Sequence, residues 1–258
     1  MTALRRLATL GLFLAVSASG ATAAPARTQI ARAQIVSYLS GAETVSGYLV
    51  SPARAGRRPA IIVVHGDRGL DEWTKQQAQR FGARGYVVIA VDLYRGEIAH
   101  NTEDAHELMR GLPDDRALRD LQAAFTYLAA RRDVRTTKIA VIGWDMGGWY
   151  ALQLAIHQPN LAACVVDDSA LPTDRAAIAQ IRAPVLGNFG ADDRGIPASA
   201  LQTFEAAMQS AGHAADLKSY PGAADGFDDS SNADRYRAGA AADAWNRTVA
   251  FFVKTLGD

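Results

Sequence analysis

Hydrophobic positions along this chain follow two alternating rhythms. Short runs rich in Val and Ile recur at 59–66 (PAIIVVHG), 85–94 (GYVVIAVDLY), 138–144 (KIAVIGW), 161–168 (LAACVVDD), 183–190 (APVLGNFG) and 216–222 (DLKSYPG). Runs of that length, bounded by Gly, Pro and Asp, predict strands buried on both faces. Between them, apolar residues spaced three or four apart predict helices at 70–85, 102–112, 114–132, 147–157, 174–181, 199–212 and 241–256. An earlier pair of alternating segments, 31–39 and 44–53, predicts a hairpin. This alternation predicts an α/β fold with a mainly parallel central sheet and helices on both faces. In such sheets ligands lie outside the carboxyl ends of the strands, so the residues just after each run are the ones to inspect.

The N-terminus departs from this rhythm. Arg5 and Arg6 precede an apolar run of about a dozen residues, and small residues including Ala21, Thr22 and Ala23 follow. That pattern predicts a signal peptide over 1–23 and an exported protein, periplasmic or secreted, with one domain over 24–258. After cleavage no membrane association is expected. The 27 basic and 27 acidic residues balance, and losing Arg5 and Arg6 leaves a slightly acidic chain, which gives no electrostatic case for nucleic acid. A single cysteine, Cys164, excludes an internal disulfide, and its apolar neighbours predict a buried strand position. The four Trp and eight Tyr show no stacking pattern, so they are expected in the core or on the walls of a site.

The segment VIGWDMGGWYALQLA, 141–155, carries the chemistry. A strand ending in Gly-x-x-x-Gly and opening into a helix is a cramped turn that presents the middle residue and aims a helix N-terminus at it. Here that residue is Asp145, and the helix is expected to begin near Gly147. The amide of Met146 would be one oxyanion donor, and that of Gly66 or Asp67, after the first central strand, the second. His65 is expected to be structural.

Together, HGDRGLDEW, AVDLYRG, LMRGLPDDRALRDL, GWDMGGWYALQLA, FGADDRGIP and YPGAADGF make the chain resemble the dienelactone hydrolase family of α/β-hydrolases over nearly its whole length after the N-terminal segment. The resemblance implies an α/β-hydrolase fold and hydrolysis of small carboxylic esters or lactones by a Cys-His-Asp triad without a cofactor. Against that pattern Asp145 stands where the family has Cys, Gly66 where it has Glu and Asp225 where it has His. Asp193 holds the acid position, with Asp192 as the alternative register. Arg95 matches a position able to meet a substrate carboxylate, and Trp144 is expected to line the substrate's site. No metal ligand set is expected: although Asp67, Asp145, Asp167, Asp168, Asp192, Asp193 and Asp225 all fall near strand ends, no calcium-loop pattern accompanies them. Arg68, Arg95 and Arg194 are available as their partners. Of the remaining histidines, His106, His157 and His213 are expected at the surface, and His100 is the one placed to swing over the site.

Three readings follow. In the first, the ester or lactone chemistry implied by the resemblance is impaired or lost. In the second, the old pocket binds a small or cationic ligand without catalysis. In the third, Asp145 attacks alkyl carbon, as in epoxide opening or halide removal, and Asp225 or His100 activates the water that cleaves the resulting ester.

Overall fold

The structure, a computed structural model, describes residues 32–53 and 56–257. The expected signal peptide, 1–23, lies outside the described residues. An eight-stranded sheet runs β1 (Arg32–Ser40), β2 (Glu43–Ser51), β4 (Val87–Val91), β3 (Arg58–Val64), β5 (Val134–Trp144), β6 (Ala163–Asp167), β7 (Val185–Gly190), β8 (Ala215–Tyr220) in spatial order. The hairpin β1–β2 and its pairing to β4 are antiparallel, and every later pairing is parallel. The sheet is therefore the mainly parallel one that the Val/Ile runs predict.

Period-two alternation sorts each central strand between two cores. Along β3, Ile62 and Val64 pack into one apolar cluster and Ile61 and Val63 into the other. All four are fully buried, and burying each side chain contributes about 1.5–3 kcal/mol. The first cluster includes residues of α3 (Asp114–Ala130), α4 (Met146–His157) and α6 (Ala198–Ser210). The second includes Ala78 and Phe81 of α1 (Glu72–Ala83) with Phe252 and Leu256 of α7 (Ala238–Leu256). Cys164 lies fully buried in β6, where burial pushes its thiol well up.

One element differs from expectation. The segment 174–181 forms only one turn of helix, α5 (Arg175–Ile178), because its apolar content is a few residues that reach the core rather than a continuous stripe. The short helix α2 (Thr102–Arg110) buries only Ala105. Asn101 caps it by accepting from the Asp104 amide at 2.9 Å. Its approach is set by the Ala99 amide, which donates to the Arg68 carbonyl at 3.0 Å, so α2 stands beside the loop that follows β3.

Candidate active site

The turn between β5 and α4 is tight because three glycines allow it. A Cβ at Gly143 would overlap the Gly147 carbonyl, one at Gly147 would overlap the carbonyls of Val64 and His65, and one at Gly148 would lie 2.5 Å from Ser169 Cβ. Asp145 at the tip has φ 49° and ψ −120°, a left-handed conformation that costs free energy for a residue with a Cβ. Its amide donates to the Asp167 carbonyl at 2.9 Å, which holds the strained tip against the next strand end. The helix begins at Met146 rather than Gly147, with Asp145 as its cap residue.

The loop after β3 faces this tip. His65 is fully buried, and both ring nitrogens are engaged. Nδ1 donates to the Gly66 carbonyl at 2.7 Å, and Nε2 accepts from the Leu93 amide at 3.2 Å. Burial pushes its pKa down, and with both nitrogens committed to the backbone the ring has no free site at which to act as a base. Its role is to fix the peptide joining Gly66 to Asp67. The amide on the far side of that peptide belongs to Asp67, and together with the amide of Met146 it lies near enough to the Asp145 carboxylate to favour its charged form. The two backbone donors expected for an oxyanion thus both reach the side chain of the elbow residue itself.

Burial pushes the Asp145 carboxyl up to about 7, and the neighbouring carboxylates of Asp67 and Asp225 add to the rise, against the two amide donors. Asp225 lies on the loop after β8, where the resemblance places a histidine. Its carboxylate pairs with Arg235 at 2.5 Å. Burial raises its pKa most, Arg235 opposes this, and Asp193 and Asp67 raise it further. Asp193 rather than Asp192 is the acid beside Asp225, but its Oδ1 accepts from the Gly195 amide at 2.7 Å. The three triad positions are therefore neighbours, and each holds a carboxylate.

Behind them sits a second set of acids. Asp168, also strained at φ 44°, accepts from the amides of Gly190 at 2.6 Å and Gly226 at 3.1 Å, so it ties the end of β7 to the loop carrying Asp225. Burial raises it to about 8. Trp144 Nε1 donates to Asp228 at 2.7 Å, and burial raises Asp228 to about 6. Asp167 accepts from Asn188 Nδ2 at 2.7 Å and is raised by burial and by Asp228.

A cavity of about 400 Å³ opens over the elbow. Trp73 and Trp144 form part of its wall, with rings 5.1 Å apart edge to face, beside Asp67, Asp71, Asp145 and Asp225. Arg235 and Arg68 line it as well. Among the described residues, no group of three His, Cys, Asp or Glu side chains is arranged to hold a metal ion.

Two expectations are corrected here. Arg95 does not line the cavity. Its guanidinium pairs at 2.7 Å with Asp120, whose fully buried carboxylate requires a cation, and at 3.2 Å with Glu43. His100 does not line it either, since its segment folds back so that its amide donates to Asp104 at 3.1 Å. His106 is exposed, as expected, and also lines the cavity from α2. Sequence reading also missed Arg235 as the partner of Asp225. The ten-residue spacing between them crosses an irregular loop with no periodicity to follow.

A sequence profile of the dienelactone hydrolase family matches residues 45–256. A Methylorubrum extorquens protein named as a carboxymethylenebutenolidase is 31% identical over 227 residues, covering 81% of this chain and 76% of its own. A Salmonella typhimurium protein of the same name is 32% identical over 246 residues, covering 87% and 88%. The crystal structure of a dienelactone hydrolase from Klebsiella pneumoniae superposes with a TM-score of 0.80 at 29% identity, over 86% of this chain and 98% of that one. With the elbow, the amide pair and the strand order already in place, the profile match shows that this chain belongs to the dienelactone hydrolase family.

Proposed function

We propose that this protein is an exported family member in which ordinary hydrolysis of carboxylic esters and lactones is impaired. One observation carries the reading: at the elbow tip the amides of Met146 and Asp67 face the carboxylate of Asp145 and favour its charged form. An acyl substrate needs those donors for its own carbonyl oxygen as charge develops there. It would also need a base, and the position after β8 holds the Asp225–Arg235 pair. Carboxylate attack on an ester carbonyl would give a mixed anhydride, a poorer intermediate than a thioester. The test is hydrolysis of a short activated aryl ester by the protein, its Asp145→Ala variant and its His65→Ala variant. The expected rate is no higher than that of Asp145→Ala, and a rate that disappears in Asp145→Ala would contradict the reading. Export rests on residues 1–23 alone and is tested by expressing the chain with and without them and measuring where it accumulates.

The same geometry supports a second reading, in which Asp145 is a nucleophile toward alkyl carbon. An oxygen held by the two amides becomes the carbonyl oxygen of the alkyl ester, while the other attacks. The amides are then already in position for the oxyanion formed when water cleaves that ester.

A further inference from the structure

Resting on the alkyl-carbon reading, we propose that the substrate is a small epoxide and that His106 is the acid and base of its hydrolysis. Cleaving an ester on Asp145 needs a group that can take a proton from water, within reach directly or through one water molecule. His65 is excluded because its two nitrogens hold Gly66 and Leu93. Asp225 is bound to Arg235. His106 is the histidine among the described residues whose side chain lines the cavity over Asp145, and its ring makes no hydrogen bond to another described residue. It comes from α2, which is anchored to the oxyanion loop through Ala99 and Arg68 and lines the same cavity as the elbow. Ala105 and Met109 of the same helix, with Trp73 and Trp144, give the apolar surface that the carbon part of a substrate needs.

The charge around the cavity selects the leaving group. The carboxyl groups of Asp67, Asp71, Asp145, Asp225, Asp228 and Asp229 line it and outnumber Arg68 and Arg235, of which Arg235 is already paired with Asp225, so a departing halide would meet a lining with more acids than bases. An epoxide oxygen that is protonated as it leaves stays neutral and attached to the product.

The step balances on these residues alone. Asp145 Oδ attacks a ring carbon, the ring C–O bond breaks, and the released oxygen takes a proton from the His106 imidazolium. Neutral His106 then removes a proton from water as that water adds to Asp145 Cγ, and the Met146 and Asp67 amides hold the oxyanion. Collapse breaks the bond from Cγ to the alkyl oxygen, and that oxygen takes the proton of the added hydroxyl. A vicinal diol leaves, and Asp145 carboxylate and His106 imidazolium are restored.

The experiment is a single turnover of styrene oxide in ¹⁸O water by the wild-type protein and by His106→Gln, a change at an exposed position, read by mass spectrometry of the Asp145 peptide and of the diol. The expected result is ¹⁸O in Asp145 rather than in the diol for the wild type. In His106→Gln the peptide should accumulate with one added epoxide, its hydrolysis slowed about a hundredfold or more. An adduct that forms and is hydrolysed equally fast in both proteins overturns the assignment of His106 and leaves Asp145 as the nucleophile. No adduct and no label on Asp145 in either protein overturns the alkyl-carbon reading, and the proposal with it.

Discussion

Two parts of one site behave differently in this protein: the frame made by backbone and the triad made by side chains. The frame consists of the elbow glycines, the peptide between Gly66 and Asp67 clamped by His65, and the amides of Met146 and Asp67. It keeps the form the family needs for holding an oxyanion. The side-chain positions Asp145, Asp225 and Asp193 hold three carboxylates, and the surrounding pairs are built to tolerate them. Backbone donors do not depend on which residue occupies a position, so they persist when the nucleophile changes. The carboxylate at the tip of this chain then faces them.

The comparison breaks most completely if the frame itself is disturbed. Gly143→Ala would drive a Cβ into the Gly147 carbonyl, and the expected loss of stability is ~4 kcal/mol or more, measured by urea unfolding.

Removing the charge at the tip should do the opposite, and its effect depends on pH. Asp145 has a folded pKa of about 7 against 3.8 for an unperturbed carboxyl. Between those values the folded state holds a proton that the unfolded chain has released, so stability is full at low pH and is lost as pH rises through 7. Asp168, at about 8, and Asp228, at about 6, act in the same direction. The unfolding free energy of the wild type should therefore fall from about pH 4 to pH 8. Asp145→Asn should be more stable than wild type by about 2–4 kcal/mol at pH 8 and nearly equal to it at pH 4, as read by denaturant titrations at both values.

Restoring the family's side chains in the retained frame sharpens the comparison next. A Cβ at Gly66 would meet the Trp144 carbonyl oxygen at 3.5 Å and Asp145 Cβ at 3.8 Å, ordinary contacts. The triple variant Gly66→Glu, Asp145→Cys, Asp225→His should therefore fold and hydrolyse an activated aryl ester about a hundredfold faster than its parent. A folded triple variant with no gain would mean that the frame is not the competent part. The smallest effect is expected from Arg235→Ala. Its side chain is 54% exposed and that of Asp225 42%, so loss of the pair should change stability by ~0.5 kcal/mol or less by thermal unfolding.

Legibility in the sequence divides along the same line as the site. The strands themselves, the two-faced burial of β3 and the elbow follow from short continuous apolar runs and from glycines at fixed offsets, and these are local signals. The position of Asp145 was readable for that reason, as were the two amides that face it. What escaped were pairings across irregular chain: Arg235 on Asp225, Arg95 on Asp120, and His106 on the cavity wall rather than His100. Each depends on where a loop or a short helix settles against the sheet. Arg95 is instructive, since its motif suggested a ligand carboxylate while the fold supplies a buried carboxylate of its own 25 residues later, in α3.

The central claim, that the oxyanion amides face the Asp145 carboxylate and favour its charged form, is tested most directly by following the Met146 and Asp67 amide resonances in a ¹⁵N-labelled sample across pH. Both amide protons should shift as Asp145 ionises, with one shared midpoint near 7, and neither should show that titration in Asp145→Asn. Amides that stay still, or that titrate unchanged in Asp145→Asn, would contradict it.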